Sequence, residues 1–289
     1  MVASVGRMTF SVHSMASVNS ALQHMSMLQS ESAKVHDRIA TGLKVGSASD
    51  NGTVWAMAQV MRTDNQSRAS ALTSIDLGTG VVETALAGSE GISDLMVEMH
   101  AKLVAATDTT LDEQSWRSLM TDFIELGNQA TRLAENASFN DLNLLKSGGE
   151  DLSVLIGANP GSTLTISAED LSDGGGIFDA GLAATLPQGD NSIVVTQPTS
   201  ADVTAFESSM TDVNSAISRL GVGLKSLTIQ KTLLVKQMDA TSAGIGNLVD
   251  ADLGRESARL QALQVREQLG IQALEIANRS PRIILSFFQ

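Results

Sequence analysis

The 289-residue sequence contains no cysteine and no tyrosine, only four prolines, and few aromatic side chains, which make up 3% of the chain. The lack of cysteine excludes disulfides, thiol catalysis and thiolate metal sites. The scarcity of proline permits long helices, because proline breaks a helix interior. Since aromatic residues are few, the 43% hydrophobic content consists mainly of aliphatic residues and alanine, which suits helix–helix packing.

Positive charge is scarce as well, since the chain has 19 Lys and Arg but 32 Asp and Glu, which gives a net charge of -13. Phosphate binding needs a basic surface, so we expect no nucleic-acid partner. No run approaches the ~20 apolar residues of a membrane-spanning helix, and we predict no membrane insertion. The N-terminal MVASVGRMTFSVHSM lacks the apolar core of a secretory signal, so we expect any export to use a route without a cleaved signal.

Motifs for catalysis and metal binding are also missing. The four histidines do not occur in the HExxH spacing of zinc proteases. The stretch DADLG, 250–254, lacks the third oxygen ligand and the distal acid of a calcium loop, so helix capping by Asp250 or Asp252 is the better interpretation. We therefore predict no enzyme activity, no cofactor and no metal.

Three helices are predicted in the first half of the chain, where apolar residues repeat every three or four positions. They span about 18–39, 54–106 and 111–136. The segment that follows, ASFNDLNLLKSGG, is predicted as turn and loop. Within residues 150–200, two short apolar or alternating runs flank Asn159-Pro160-Gly161, which predicts a β-hairpin.

A heptad pattern runs along the second half of the chain. Apolar residues alternate in steps of three and four from Phe206 to Met238, which predicts a coiled-coil seam inside the chain. Lys231 interrupts this seam, and we expect it to lie at an end or to extend its amine into solvent. The stretch SAGIGN, 242–247, is predicted to break the helix before a final helix begins.

This order predicts a mainly α fold, in which both chain ends form a long antiparallel helical hairpin or coiled-coil bundle, with a short β-leaning insert at its tip. Residues 1–48 and 245–289 are expected to form a terminal helical domain. Residues 49–149 and 201–244 are expected to form a helical coiled-coil domain, and 150–200 the insert.

The final helix, LQALQVREQLGIQALEIAN (260–278), carries two apolar stripes, roughly 160° apart at 3.6 residues per turn. The first stripe contains Leu260, Leu263, Ile271 and Leu274. The second contains Ala262, Val265, Leu269, Ala273 and Ile276. Because a surface helix ordinarily has one stripe, the second predicts either burial in a larger helical core or contact with another molecule.

Three segments resemble the bacterial flagellins. HDRIATGLKVGSASDNGTVWAMAQVMR, 36–62, is similar to the flagellin turn LQRISTGLRINSAKDD. NLVDADLGRESARLQALQVREQLGIQALEIAN and the ending IILSFFQ resemble the flagellin C-terminal helix, and RLAENASFNDLNLL resembles the segment A.NT.FNG..LL. The short insert makes the chain similar to compact alphaproteobacterial flagellins without large outer domains. Met8 is an alternative start, and Gln289 replaces the usual terminal arginine.

The resemblance implies a non-catalytic subunit that polymerises with itself into the extracellular flagellar filament used for swimming. It also implies the flagellar export apparatus, a secretion chaperone, the filament cap and the hook–filament junction proteins as partners. One stripe would pack on the N-terminal helix and the other on the next subunit, with their roles left open. The predicted assembly residues are Leu22, Met25, Ile39, Leu260, Leu263, Val265, Leu269, Ile271, Leu274, Ile276, Leu285, Phe287 and Phe288. Predicted sites for O-linked sugars are Thr163, Thr165 and Thr199.

Two other functions compete with the filament subunit. A hook–filament junction protein shares flagellin-like ends, although its last helix normally departs from the pattern ARLQALQVREQLGIQAL. A soluble coiled-coil binding module would instead form a stable dimer that does not grow on filament seeds.

Overall fold

The computed structural model describes residues 13–159, 161–172 and 196–286, with side chains described between 19 and 275 except in the gaps. Five helices and four short strands occur in these ranges. The helices are α1 (His13–Thr41), α2 (Ala48–Ala106), α3 (Glu113–Asn136), α4 (Ser200–Val249) and α5 (Leu253–Ser286). The strands are β1 (Ser138–Phe139), β2 (Leu142–Asn143), β3 (Leu152–Leu155) and β4 (Thr163–Ile166). The predicted mainly α fold with a short β insert is confirmed.

Two compact units make up the chain. Met1–Arg62 and Thr241–Gln289 form the terminal unit, and Thr63–Ala240 form the middle unit. The boundaries predicted after residues 48 and 244 differ from these, because the first turns of α2 and the last turns of α4 share a small core with the α1–α2 loop. This core is built on Val45, Ala58 and Val249.

A continuous hydrophobic core holds the middle unit together. It contains residues of α2, α3, α4 and both hairpins, and Phe123 is fully buried in it. Phe123 meets Phe206 edge to face, with ring centroids 5.4 Å apart. The core residues of α4 recur at intervals of seven: Phe206, Val213, Leu220, Leu227 and Leu234. The heptad seam is therefore a core seam of this unit, as predicted.

Lys231 lies in the α4 seam where an apolar residue would be expected. Its side chain is 51% exposed, and its Nζ lies 2.6 Å from Asp76 Oδ1 on α2. The aliphatic stem can cover the edge of the core while the ammonium reaches solvent. Lys231 therefore extends outward, as predicted.

Two short hairpins follow α3. The predicted hairpin is present as β3 paired antiparallel with β4, in which Ser153 lies opposite Thr165. The segment predicted as turn and loop holds a second, two-residue hairpin, β1 with β2. Its turn is Asn140-Asp141, both with positive φ, 50° and 64°. Asn and Asp tolerate this backbone and fit a tight hairpin turn, a signal that the sequence interpretation missed.

The glycines of SAGIGN do not break α4, so that prediction is wrong. The helix continues to Val249, and the break lies at 250–252. Gly244 and Gly246 instead allow close packing, because a Cβ at Gly244 would lie 3.0 Å from Met61 Cε, and one at Gly246 2.7 Å from Asp250 Oδ2. A glycine inside a helix can serve a close contact as well as a break.

Gly78 on α2 has a similar role under β3, and its replacement has a testable outcome. A Cβ at Gly78 would lie 2.5 Å from Val154 Cγ2, whereas a Cβ at Gly221 on α4 would meet nothing within 4 Å. We expect Gly78→Ala to lower the free energy of unfolding by about 1–3 kcal/mol, because overpacking exceeds the gain in helix propensity. Gly221→Ala should raise it by up to about 1 kcal/mol. Thermal unfolding of the monomer measures both, and equal shifts of the two variants would contradict this packing.

Candidate assembly surface

Helices α1 and α5 pair along their lengths in the terminal unit, with opposite directions. Arg38 near the end of α1 lies beside Glu256 at the start of α5, with Nη1 3.3 Å from Oε1. One turn further along α5, Arg259 pairs with Glu31. These cross-helix ion pairs set the antiparallel register of the two chain ends, because each requires a fixed position along both helices.

The contact between the two helices follows a heptad seam. On α5 its members are Glu256, Leu260, Leu263, Glu267, Gly270 and Leu274. On α1 they are Ala21, Met25, Leu28, Ser32, Val35 and Ile39. Val35 and Leu263 are buried, at 1% and 3% exposure, and most of the others are half-buried. The presence of Glu256, Glu267, Gly270 and Ser32 makes this a weak apolar seam.

Gly270 and Glu256 are the unusual members of the seam. A Cβ at Gly270 would lie 3.3 Å from Met25 Cε, so the glycine admits the methionine side chain. Glu256 is 9% exposed, and within the described residues its Oε2 has no hydrogen-bond partner. A buried carboxylate that is only partly paired adds little stability but favours one register of the helix pair.

Most members of the first predicted stripe face α1. Leu260, Leu263 and Leu274 lie in the seam, as do Met25 and Ile39 on α1. Two of the predicted assembly residues, one on each helix, lie outside the seam. Their positions are rotated from it by roughly 60° and 100° at 3.6 residues per turn. They are Ile271, 48% exposed, and Leu22, 53% exposed.

The second predicted stripe lies on the open side of α5. Val265 is 54% exposed and Leu269 58% exposed, and Ala262 and Ala273 are also exposed. Met27 on α1, at 57%, adds to the exposed apolar area of the pair. The side chains of Ile276 and Leu285 and the whole of Phe287 and Phe288 lie outside the described residues. We call the described members of the second stripe, from 262 to 273, the open stripe.

A backbone joint closes the seam at one end. The Lys44 and Val45 N–H groups donate to the Val249 carbonyl at 2.6 and 3.2 Å, and Ala251 N–H donates to the Gly42 carbonyl at 2.8 Å. Gly42 has a φ of 71°, which favours glycine. The joint ties the α1–α2 loop to the α4–α5 loop, so that both helix breaks occur at the same level of the terminal unit.

Asp50 orders the loop that enters α2. Its Oδ2 accepts hydrogen bonds from the Ser47 hydroxyl, the Ser47 N–H and the Gly46 N–H, at 3.0, 3.0 and 3.1 Å. These bonds, with the Ser47 hydroxyl foremost, lower the pKa of the Asp50 carboxyl. Asn51 then interrupts the helix at φ -161° and its Oδ1 accepts the Val54 N–H, which caps the continuing helix.

The three predicted sugar sites occupy different environments. Thr163 and Thr165 are exposed on the outer face of β4. At the start of α4, the Thr199 hydroxyl and N–H donate to Asp202 Oδ2 at 2.8 and 2.7 Å. All three threonines remain predicted modification sites, and the Thr199 hydroxyl is also bonded to Asp202.

The described residues form no metal-ligand cluster and no membrane-spanning helix. In that part of the chain no three His, Asp or Glu side chains gather as metal ligands. Among the described helices, none is both long and apolar enough to cross a lipid bilayer. The open stripe is an apolar surface exposed on the terminal unit, and exposed apolar surface of this kind is typical of an interaction site.

Comparison with known proteins decides the family. Residues 12–148 match the bacterial flagellin N-terminal helical region, and residues 203–288 match the bacterial flagellin C-terminal helical region. The chain belongs to the bacterial flagellin family. The expected resemblance to compact alphaproteobacterial flagellins is confirmed, and the family is one of structural proteins.

Relatives of this flagellin-family chain align over nearly its whole length. It is 37% identical to flagellin FljM of Caulobacter vibrioides, over 93% of this chain and 95% of that protein. It is 30% identical to a flagellin of Brucella melitensis, over 95% and 97%. A solved structure described as a flagellar hook-associated protein from Vibrio parahaemolyticus matches at a TM-score of 0.52 and 15% identity, over 70% of this chain and all of that chain. This structural match shows a shared fold.

Proposed function

We propose that the chain is a flagellin subunit that polymerises outside the cell into the flagellar filament, with no catalytic role. The observation that carries the proposal is the open stripe, exposed on a helix pair formed by the two regions that match flagellins. Apolar surface contributes roughly 25 cal/mol per Å² when it leaves water, so burial against neighbouring copies favours assembly. Contacts that repeat head to tail without closing produce an open helical filament.

The weak seam between α1 and α5 supports a coupling between folding and assembly. The seam contains two glutamates, a glycine and a serine, so it has fewer apolar contacts than a seam built of leucines alone. A chain that leaves the cell unfolded can complete the folding of its ends when it joins the polymer. The flagellar export apparatus, a secretion chaperone, the filament cap and the hook–filament junction proteins are the partners that this function requires.

The sequence matches to flagellins over nearly the whole chain support a filament subunit over a junction protein. The similarity to a hook-associated protein rests on the fold, which both classes share. A soluble binding module would leave the open stripe to a single partner copy and would stop at a dimer.

Seeded assembly tests the proposal. Purified full-length protein is added to sheared filament seeds at neutral pH, and elongation is scored by electron microscopy. We expect filaments, and we expect none from a chain lacking residues 253–289, because that deletion removes α5 and the open stripe. A discrete dimer that does not elongate would support the binding module instead. Far-UV circular dichroism of the shortened chain checks that its remaining helices are formed.

A further inference from the structure

The charge of the chain is divided very unevenly between its two units. The middle unit, 63–240, holds 9 Lys and Arg against 24 Asp and Glu, a net charge of -15. The terminal unit holds 10 Lys and Arg and 8 Asp and Glu, a net charge of +2. Copies that assemble side by side through their middle units must therefore place opposite charges against each other at specific positions, because like charges at a contact oppose it.

One exposed face of α2 is acidic. Its carboxylates lie within an arc of about 80° at 3.6 residues per turn. They are Glu83, Glu90, Asp94 and Glu98, all exposed. Two valines lie beside them, Val97 at 58% and Val104 at 44% exposure. Among the described residues none of the four carboxylates has an ion-pair partner. We call this set the acidic face.

One exposed face of α4 is basic and apolar. Its five members also lie within an arc of about 80° at 3.6 residues per turn. They are Val222, Lys225, Ile229, Leu233 and Lys236. The apolar three are 63%, 57% and 46% exposed, and neither lysine has an ion-pair partner in the described part of the chain. We call this set the basic face.

The two faces cannot satisfy each other within one middle unit. Asp76 pairs with Lys231, and the Asn65 amide donates to the Met238 carbonyl, so α2 and α4 run antiparallel with residue 76 near residue 231. In this register the basic face lies near the level of residue 76, while the acidic face is centred about 14 residues further along α2. At about 1.5 Å per residue, the centres of the faces are roughly 20 Å apart along the helices.

We propose that the acidic face of one copy docks on the basic face of a second copy. The two faces combine opposite charge with apolar side chains, so contact buries Val97 and Val104 against Ile229 and Leu233 while lysines meet carboxylates. The interface joins different surfaces of the two copies, and it therefore repeats head to tail. This interface rests on the proposed filament function and is the side-to-side contact between neighbouring subunits. The neighbouring copies are shifted by roughly 20 Å along their helices.

Charge reversal on each face tests this interface in the full-length protein. Glu90→Lys with Asp94→Lys places two lysines at the centre of the acidic face, between Glu83 and Glu98, and Lys225→Glu with Lys236→Glu makes the basic face acidic. Each double variant alone places like charges opposite each other at the centre of every contact, and we expect the sedimented polymer to fall at least tenfold in seeded assembly. In a 1:1 mixture, copies of the two variants can alternate, and every contact then has opposite charges at its centre. We expect its yield to return to within about threefold of the wild type.

A matched control separates the effect of the two faces on assembly from the effect of the net charge of the protein. Glu135→Lys with Glu150→Lys changes the charge as much as the acidic-face variant does, at exposed positions elsewhere on the middle unit. We expect it to assemble like the wild type. Either face variant assembling normally alone, a mixture no better than its components, or a control as defective as the face variants would each overturn the interface. Wild-type protein that does not elongate seeds would instead refute the filament function. Circular dichroism confirms that each variant is folded, and recovery in the mixture does so independently.

Discussion

Leu269→Asp is expected to abolish filament growth while leaving the monomer folded. Leu269 is 58% exposed in the chain and lies on the open stripe, opposite the seam with α1. Since more than half of Leu269 is exposed and it lies outside the seam, we expect the helicity of the monomer to stay nearly unchanged. In a filament that buries the open stripe, the variant loses a leucine contact and places a carboxylate in an apolar interface.

The expected magnitude is large because the two effects add. Burial of a leucine contributes about 1.5–3 kcal/mol, and an unpaired carboxylate costs more. We expect the critical concentration for assembly to rise at least 100-fold, which corresponds to about 2.8 kcal/mol. Sedimentation across a range of protein concentrations measures it. Gln268→Asp introduces the same charge on the flank of the same helix and should change it far less. Normal filaments from Leu269→Asp at wild-type concentrations would show that the open stripe faces solvent in the polymer.

Asn143→Ala is expected to give a large loss of stability in the middle unit. Asn143 is 4% exposed, and its side chain makes four hydrogen bonds. Its Nδ2 donates to the Ala134 and Glu135 carbonyls at 2.8 and 3.0 Å, and its Oδ1 accepts the Leu145 and Lys146 N–H groups at 2.7 and 3.2 Å. Alanine removes these four bonds from buried or half-buried backbone groups, of which the Ala134 carbonyl also accepts the Ala137 N–H.

We expect the free energy of unfolding to fall by about 2–4 kcal/mol, since each unpaired buried group costs about 1–3 kcal/mol. Urea denaturation of the monomer measures the change. Asn136→Ala is the control, because its amide makes a single exposed bond to the Arg132 carbonyl, and a change within about 0.5 kcal/mol is expected. If both variants lost equal stability, the hydrogen bonds of Asn143 would not be the cause.

The helical fold was predictable because its signal is periodic and local. The seam of α4 was found from spacing alone, and its members at intervals of seven, from Phe206 to Leu234, are buried. The β3–β4 hairpin was found from turn residues between two short runs. The break after α4 was misplaced because glycine can permit close packing as well as end a helix. At Gly244 the nearby atom is Met61 Cε, which lies far away in sequence.

Hydrogen bonds between residues far apart in sequence could not be predicted from the sequence. Asn143 has the same side chain as other asparagines in the chain, and its role depends on carbonyls at the end of α3. The ion pair between Arg38 and Glu256 joins residues 218 positions apart. Such partners are set by the packing of helices, which local patterns do not encode.

By itself, the sequence determined that both ends are helical, that the final helix has two apolar stripes, and that the chain resembles flagellins. Tertiary structure alone decided which stripe packs within the chain. Leu260, Leu263 and Leu274 face α1, while Val265 and Leu269 face outward. The physical reason is that periodicity fixes the angle of each side chain around its own helix, whereas the choice of face depends on the partner helix. Here the Arg38–Glu256 and Arg259–Glu31 pairs hold α1 against one side of α5 and leave the other side open.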